Sequence, residues 1–293
     1  MQPREPSRTA QRAAAHRAAH QVLEGGALFA DPLAGAILGR TLQDLAREAA
    51  ADPGARAMRL FIAARSRFCE DAIAAAVARG VRQVVVLGAG LDTFALRNPY
   101  AGVRVFEVDH PATQAFKRRR LAAAGLDAPP TLTFAPVDFE REGLADGLQR
   151  AGMRVDQPAF FSWLGVVPYL SPEAFGATLR VIAGVPGAEV VFDYAVPLEH
   201  LEPGRRARAE ALGARVAAAG EPWVTRLDPA ELAARLRALG FIEIEDLGPA
   251  ALRRRLRPAA PAGEASPPEG DAPEGDAPGS PAEGPHVTRA RRP

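Results

Sequence analysis

A continuous apolar run that ends in a glycine-rich loop constrains this chain more than any other feature. Residues 83–87 read Gln-Val-Val-Val-Leu, and a loop over residues 88–93, Gly-Ala-Gly-Leu-Asp-Thr, follows at once. An apolar run without alternation is typical of a parallel strand that is buried on both faces. Glycines directly after such a strand let the backbone turn tightly and approach a ligand closely. The pattern therefore predicts a ligand site at the carboxyl end of a buried strand.

Segments with the composition of strands recur along the rest of the chain. They cover residues 103–109, 132–137, 160–163, 189–194 and 241–245. Helical segments that begin at Pro after a capping residue, or end at Gly, separate them. Strands that alternate with helices predict an α/β fold with a doubly wound, mostly parallel sheet.

Composition divides the chain into four parts. Residues 1–80 are rich in helix-forming residues and predict an N-terminal helical cap, and residues 81–257 form the predicted ligand-binding core. Residues 258–284 repeat Pro-Glu-Gly-Asp-Ala twice, and we expect disorder there because so few apolar residues cannot offset the ordering entropy. Residues 285–293 alternate again, and they are either a final strand or a basic tail.

The balance of charges excludes several classes of function. With 36 Lys and Arg against 35 Asp and Glu, the chain has no basic footprint for nucleic acid and no polybasic membrane anchor. Lys117 is its only lysine and follows Phe rather than Gly, which excludes a Walker A loop and disfavours pyridoxal phosphate chemistry. The single Cys69 cannot form an internal disulfide, and no apolar stretch is long enough to cross a bilayer. We therefore expect a cytoplasmic protein.

Acidic residues stand at the ends of the second and third predicted strands. Glu107 and Asp109 close one strand, and an acid at that place can accept hydrogen bonds from both hydroxyls of a ribose. Asp138 and Phe139 close the next, where an acid and an aromatic ring could hold an adenine. Thr93 occupies the position of the third glycine of a dinucleotide fingerprint, which disfavours a pyrophosphate. The combination predicts an adenosine ligand without phosphates, S-adenosyl-L-methionine.

A purely structural role is an alternative to ligand binding for these acids, and also for one group of His and Glu residues and one basic run. Asp109 and Asp138 could each simply cap the helix that follows. The residues His16, His20 and Glu24 share one helix face, but they do not form a zinc-protease motif, so we expect a solvated face and no metal. The basic run 117–120 is likewise expected to be a solvated helix end.

Several motifs taken together resemble the leucine carboxyl methyltransferase-like family, in particular its actinobacterial S-adenosyl-L-methionine-dependent methyltransferases. They are the loop 88–93, Phe-Glu-Val-Asp-His-Pro at 106–111, Pro-Val-Asp-Phe at 136–139 and the stretch from Trp163 to Leu170. The resemblance runs from about residue 9 to 256 and includes Arg17 and the segments 29–33 and 61–68. It implies a Rossmann-like methyltransferase sheet with an N-terminal helical lid, and it identifies residues 286–291 as similar to the family's closing strand.

The resemblance also implies a set of cofactor-binding residues. Arg65 would pair with the methionine carboxylate of the cofactor, and Gly88 would make the family's glycine contact. Asp109 would hold the ribose, with Glu107 as the competing choice. The pair of Asp138 and Phe139 would hold the adenine. Many members carry an acid where this chain has Leu164, which leaves that contact in doubt.

Methyl transfer from a sulfonium requires alignment of the nucleophile more than activation. A carboxylate acceptor needs no base, whereas a hydroxyl would need one, for which Asp193, Tyr194 and His200 are candidates. The Pro168-Tyr169 pair lacks the preceding polar residue that would hold an amide. We therefore expect O-methylation of a carboxylate or hydroxyl on a small molecule. Trp163, Tyr169 and Tyr194 could line its pocket or could equally be buried core aromatics.

Two other functions remain open. One is an NAD(P)-dependent oxidoreductase on a similar sheet, although no Tyr-x-x-x-Lys pair is present. The other is a non-catalytic module that binds S-adenosyl-L-methionine, an alternative that Leu164 supports.

Overall fold

The computed structural model describes residues 7–138, 142–218, 220–256 and 284–293. Phe139 and nearly all of the segment 258–284 lie outside the described residues. Within the described part, no helix is both long and apolar enough to cross a membrane.

A seven-stranded sheet in the order β3-β2-β1-β4-β5-β7-β6 forms the centre of the molecule. Its strands are β1 (Gln83–Leu87), β2 (Arg104–Asp109), β3 (Leu132–Pro136), β4 (Phe160–Trp163), β5 (Glu189–Tyr194), β6 (Glu243–Leu247) and β7 (His286–Arg291). The first five are parallel, and β7 runs antiparallel to both β5 and β6. The predicted mostly parallel α/β sheet is thus confirmed. Strand β6 begins two residues later than predicted because Phe241 is buried in the core before pairing with β7 starts.

Helices cover both faces of the sheet and its carboxyl edge. They are α1 (Arg8–Leu23), α2 (Ala34–Leu38), α3 (Leu42–Ala50), α4 (Arg56–Ala78), α5 (Phe94–Arg97), α6 (Pro111–Ala123), α7 (Leu144–Arg150), α8 (Pro172–Ala183), α9 (Pro203–Ala218), α10 (Pro229–Ala238) and α11 (Pro249–Arg255). Three of them, α6, α8 and α10, begin with proline after a capping side chain, as their sequences predict. Asp31 followed by Pro32 predicts a helix that begins at Pro32, but α2 begins two residues later, at Ala34.

Two apolar clusters on opposite faces of the sheet form the core. Phe160 packs into the cluster that includes α4, and its neighbour Phe161 packs into the other, which explains why the strands show no alternation. Trp163 is fully buried, and its ring lies 5.5 Å from that of Phe175. Trp163 is therefore a core residue and not part of a substrate pocket.

Residues 286–291 form an inserted strand and not a tail. Val287 and Ala290 are both fully buried, one in each apolar cluster. The Tyr194 hydroxyl donates to Asp246 of β6 at 3.0 Å, and His286 Nδ1 lies 2.7 Å from the same carboxylate. These contacts join β5, β6 and β7 at the carboxyl edge of the sheet.

Candidate functional site

A cavity of roughly 2330 Å³ lies between the carboxyl edge of the sheet and the N-terminal helices. Its wall includes parts of α1, α4, α9 and α11, the loop after β1 and the ends of β2, β4 and β5. Small-molecule sites usually measure roughly 300–1,000 Å³. The cavity therefore has room for a nucleoside-sized ligand together with a second molecule.

The loop after β1 depends on glycine at two positions. Gly88 (φ +64°) and Gly90 (φ +47°) both adopt the left-handed conformation that favours glycine. A Cβ at Gly88 would collide with the Val166 side chain, and one at Gly90 would lie 2.8 Å from Ala10 Cβ of α1. The loop thus presents bare backbone to the cavity while α1 packs directly on it.

Asp109 lies on the cavity wall at the end of β2. Its Oδ2 accepts a hydrogen bond from the Gly90 N–H at 2.6 Å, and its Oδ1 accepts one from the His110 N–H at 2.7 Å. Burial raises the pKa of Asp109 even though both N–H groups favour its charged form. The side chain that caps α6 is His110, so the alternative role of Asp109 as a helix cap is wrong.

Glu107, the competing ribose acid, points elsewhere. It is fully buried, and Lys117 Nζ lies 2.6 Å from its Oε2. This contact is ionic, because neither carboxylate oxygen of Glu107 has a well-directed hydrogen bond. The Lys117 ammonium also donates to the Asp92 carbonyl at 2.6 Å. Burial raises the pKa of Glu107 to about 7 against the attraction of Lys117. The expectation that Lys117 belongs to a solvated helix end is wrong, because it is 1% exposed.

Asp138 follows β3 and lies beside His110. The distance from its Oδ2 to His110 Nε2 is 3.8 Å. His110 lines the cavity, whereas Asp138 is not among the described residues of its wall. Helix α7 begins at Leu144, after Gly143 as its N-cap. The helix start near residue 140 that Asp138 could cap lies outside the described residues.

Arg65 on α4 forms a buried ion pair with Asp193 at the end of β5. Its Nη1 donates to Asp193 Oδ2, and Asp193 Oδ1 accepts from the Gly165 N–H at 2.6 Å. The Nε of Arg65 is buried and has no hydrogen-bond partner among the described residues. Both side chains line the cavity. Arg65 is thus not an ordinary surface arginine, and Asp193 is not free to act as a base.

A second buried ion pair joins the N-terminal helices to the glycine loop. Arg17 Nε donates to Asp31 Oδ2 at 2.8 Å, and its Nη2 donates to the Leu91 carbonyl at 2.8 Å. The Thr93 hydroxyl donates to Asp31 Oδ1 at 2.8 Å. Burial alone would raise the pKa of Asp31, but the charges of Arg17 and Arg97 outweigh it and hold that pKa below its ordinary value.

Sequence reasoning missed this cluster. Asp31 reads as a helix N-cap before Pro32, and Thr93 reads only as a missing third glycine. Their burial has no local signature, since the two residues are 62 positions apart in the chain. Asp31 Oδ1 accepts a hydrogen bond from the Thr93 hydroxyl, and α2 begins at Ala34 rather than at Pro32.

The two remaining candidates for a general base are Tyr194 and His200. Tyr194 is fully buried, and burial together with the Asp246 carboxylate raises its pKa. His200 lies 3.6 Å from Asp228 and is not among the described residues that line the cavity.

The three side chains of His16, His20 and Glu24 do not converge on one point, and the expectation that they form a solvated face is wrong because His20 is fully buried. His20 Nδ1 lies 3.1 Å from Glu24 Oε2, and Arg59 donates to the same carboxylate at 2.7 and 2.9 Å. His16 instead lines the cavity. Burial, together with the positive charges of Arg59, Arg65 and Arg12, lowers the pKa of His16 from 6.5 to about 4. Among the described residues, no cluster of His, Cys, Asp and Glu suits a metal ion.

Arginine dominates the part of the cavity wall beyond the glycine loop and the strand ends. The arginines there are Arg8, Arg12, Arg56, Arg205, Arg208, Arg215, Arg226 and Arg253, and the acids are Glu48, Asp52 and Glu221. One of these acids, Glu221, accepts a hydrogen bond from the Thr9 N–H at 2.9 Å. Because cations outnumber anions, this outer wall favours an anionic ligand.

Comparison with known proteins identifies one matching family model and several similar proteins. The family model for leucine carboxyl methyltransferase matches residues 10–183. The protein named "Putative S-adenosyl-L-methionine-dependent methyltransferase YktD" of Bacillus subtilis is 36% identical over 61% of this chain and 60% of its own length. A relative of Mycobacterium avium with the same general name is 32% identical over 64% and 59%. The chain therefore spans about three-fifths of the length of these curated relatives.

Two solved structures match nearly the whole chain. The first is a "putative methyltransferase" of Thermobifida fusca, with a TM-score of 0.56 and 17% identity over 98% of this chain and 95% of the other. The second is a DUF574 family protein of Streptomyces avermitilis, with a TM-score of 0.53 and 16% identity over 95% and 97%. At these identities the likeness concerns the fold alone.

Proposed function

Because the chain belongs to the leucine carboxyl methyltransferase family, we propose that it transfers a methyl group from S-adenosyl-L-methionine to an oxygen atom of a small molecule. One observation supports this most. A bare glycine loop, a carboxylate at Asp109 and a guanidinium at Arg65 line a single cavity. The Asp109 carboxylate complements the hydroxyls of the cofactor's ribose, and the Arg65 guanidinium complements the carboxylate of its methionine moiety.

The residues present fit that cofactor. Gly88 and Gly90 line the cavity, and their missing Cβ atoms let Val166 and Ala10 pack closely against the loop. Asp109 would accept hydrogen bonds from the ribose hydroxyls. Arg65 would hold the methionine carboxylate, and its Nε is a buried donor without a partner among the described residues. The assignment of Asp138 and Phe139 to the adenine remains part of the proposal and rests on the family resemblance.

The chain's own contribution to the reaction is alignment and exclusion of water. The cofactor supplies an electrophilic methyl group on its sulfonium when bound. Helix α1 packs on Gly90 through Ala10, and the Arg17–Asp31 pair holds the loop from the same side. These contacts fix one side of the glycine loop, and a site held in this way would align the acceptor and exclude water from the reaction.

A carboxylate acceptor agrees better with the cavity than a hydroxyl does. The candidates for a general base are an ion-paired Asp193, a hydrogen-bonded Tyr194 and a distant His200. A carboxylic acid is already ionised at pH 7 and needs no base. Its negative charge also suits the arginine-rich outer wall of the cavity.

Calorimetry tests the cofactor. We expect the protein to bind S-adenosyl-L-methionine and S-adenosylhomocysteine, and Asp109→Asn to weaken both by roughly 1–3 kcal/mol because one of the two acceptor oxygens becomes a donor and the negative charge is lost. Asp156→Asn, an exposed acid paired with Arg154, is the matched control. Binding of NAD(H) alone would contradict the proposal and favour an oxidoreductase.

The chemical stability of the product tests the acceptor class. After incubation of the protein with methyl-labelled cofactor and a library of organic acids and phenols, mild alkali releases label from a methyl ester and leaves it on a methyl ether. We expect alkali-labile label. Tight cofactor binding without any labelled product would instead favour a non-catalytic binding module.

A further inference from the structure

We infer that Asp193 binds the α-ammonium group of the cofactor's methionine moiety, beside Arg65, which binds the carboxylate of the same moiety. This inference rests on the proposed cofactor. It assigns a binding role to a residue that the sequence offers only as a possible base.

The position of Asp193 carries the inference. Asp193 is the second-last residue of β5 and is 4% exposed, yet it lines the cavity. Its Oδ2 accepts from Arg65 and its Oδ1 accepts from the Gly165 N–H. A carboxylate offers about four lone-pair sites, so both oxygens keep capacity for a further donor. A ligand held by Arg65 therefore lies next to unused acceptor capacity.

The other acids near the glycine loop are engaged in different ways. Asp92 Oδ1 accepts from the Phe94 N–H at 2.7 Å. Asp109 stands at the end of β2, on the far side of β1 from β5. The residue before Gly165 is Leu164, which packs with the apolar cluster around α4. Among these residues, Asp193 is the carboxylate in direct contact with Arg65.

Charge balance gives an independent reason. The cofactor carries a sulfonium, an ammonium and a carboxylate, so its net charge is positive. A lone Arg65 would attract the carboxylate and repel both cationic groups. The Arg65–Asp193 pair is neutral and offers one opposite charge to each end of an amino-acid zwitterion. The pair thus suits an α-amino acid group better than either residue alone would.

Calorimetry with three ligands tests this role. The ligands are S-adenosylhomocysteine, its analogue without the amino group and its analogue without the carboxylate. We expect the wild-type protein to bind the analogue without the amino group about tenfold to hundredfold more weakly than S-adenosylhomocysteine, since a charged hydrogen bond is lost. In Asp193→Asn we expect a loss of the same size for S-adenosylhomocysteine and little change for the analogue without the amino group. The analogue without the carboxylate reports on Arg65 separately.

Asp71→Asn is the matched control. Asp71 lies on α4, the helix that carries Arg65, and pairs with Arg67 at 2.7 Å on the exposed face. All three affinities should match those of the wild type. Equal losses for S-adenosylhomocysteine and the analogue without the amino group in Asp193→Asn would overturn the inference, because Asp193 would then act only through Arg65.

The wild-type measurement keeps the inference testable even if Asp193→Asn does not fold. Equal wild-type affinity for S-adenosylhomocysteine and its analogue without the amino group would overturn the inference and leave the proposed function intact. Failure of the wild type to bind S-adenosylhomocysteine at all would overturn both.

Discussion

The ammonium nitrogen of Lys117 lies 2.6 Å from Oε2 of Glu107, and both side chains are almost completely buried under the glycine loop. Lys117 also donates to the Asp92 carbonyl, so the pair ties α6 to β2 and to the loop itself. The only lysine of the chain is therefore an internal support of the candidate site. The expectation that Lys117 is exposed at the surface is wrong. Successive residues of a helix lie on different faces, so one residue of a basic run can point into the core.

Removal of one partner of this pair should be costly. We expect Lys117→Met to lower the free energy of unfolding by roughly 1–3 kcal/mol, and by more above pH 7, because Glu107, whose pKa is already raised to about 7, must then either stay charged without its partner or take up a proton. The double variant Glu107→Gln/Lys117→Met should lose less than Lys117→Met alone. Urea unfolding of both variants measures the difference. Equal losses in the two would mean that the lysine contributes by packing and not by charge.

The Asp31 cluster should support both stability and ligand binding. Asp31→Asn removes a charged acceptor from Arg17, and we expect a loss of about 1.5–3 kcal/mol in unfolding free energy. Because Asp31 also accepts from Thr93 in the loop, cofactor affinity should fall as well. Asp44→Asn, which breaks an exposed pair with Arg47, should cost less than about 1 kcal/mol. Unchanged cofactor affinity in Asp31→Asn would show that the glycine loop keeps its shape without the charged Asp31 acceptor.

His16 should make stability depend on pH. Its pKa is lowered from 6.5 to about 4 in the folded protein, so the unfolded chain binds more protons between these values. The contribution of His16 is present above pH 6.5 and is lost as the pH falls toward 4, with an upper limit of about 3 kcal/mol. His16→Gln should flatten this part of the profile, as measured by urea unfolding from pH 4 to 7.5. Parallel profiles of the two proteins would mean that His16 is solvated.

The inserted strand β7 should respond to the loss of one buried side chain. Val287 is fully buried between β5 and β6, and we expect Val287→Ala to cost about 2 kcal/mol through the cavity it leaves. Ile242 is 66% exposed, and Ile242→Ala should change stability by less than about 0.5 kcal/mol. Thermal unfolding compares the two. An equally small effect at Val287 would indicate that the strand detaches in solution.

Local patterns predicted most of the fold well. Buried parallel strands are apolar runs bounded by glycine or acid, and proline after a capping residue marks where α8 and α10 begin. Helices α9 and α11 were not predicted. Helix α9 has only Val216 buried among the residues for which burial is described, so it has no apolar periodicity that a sequence could reveal.

The sequence by itself determined which residue types stand at the carboxyl edge of the sheet. Hydrophobic periodicity and glycine position report whether a residue is buried and how its backbone turns, and these properties are local. Only the tertiary structure decided which buried charge meets which partner. Arg65 meets Asp193 across 128 positions, and Glu107 turns to Lys117 while Asp109, two residues later, faces the cavity. Partner choice depends on how distant elements pack, because a buried charge is stable only where an opposite charge or donor reaches it.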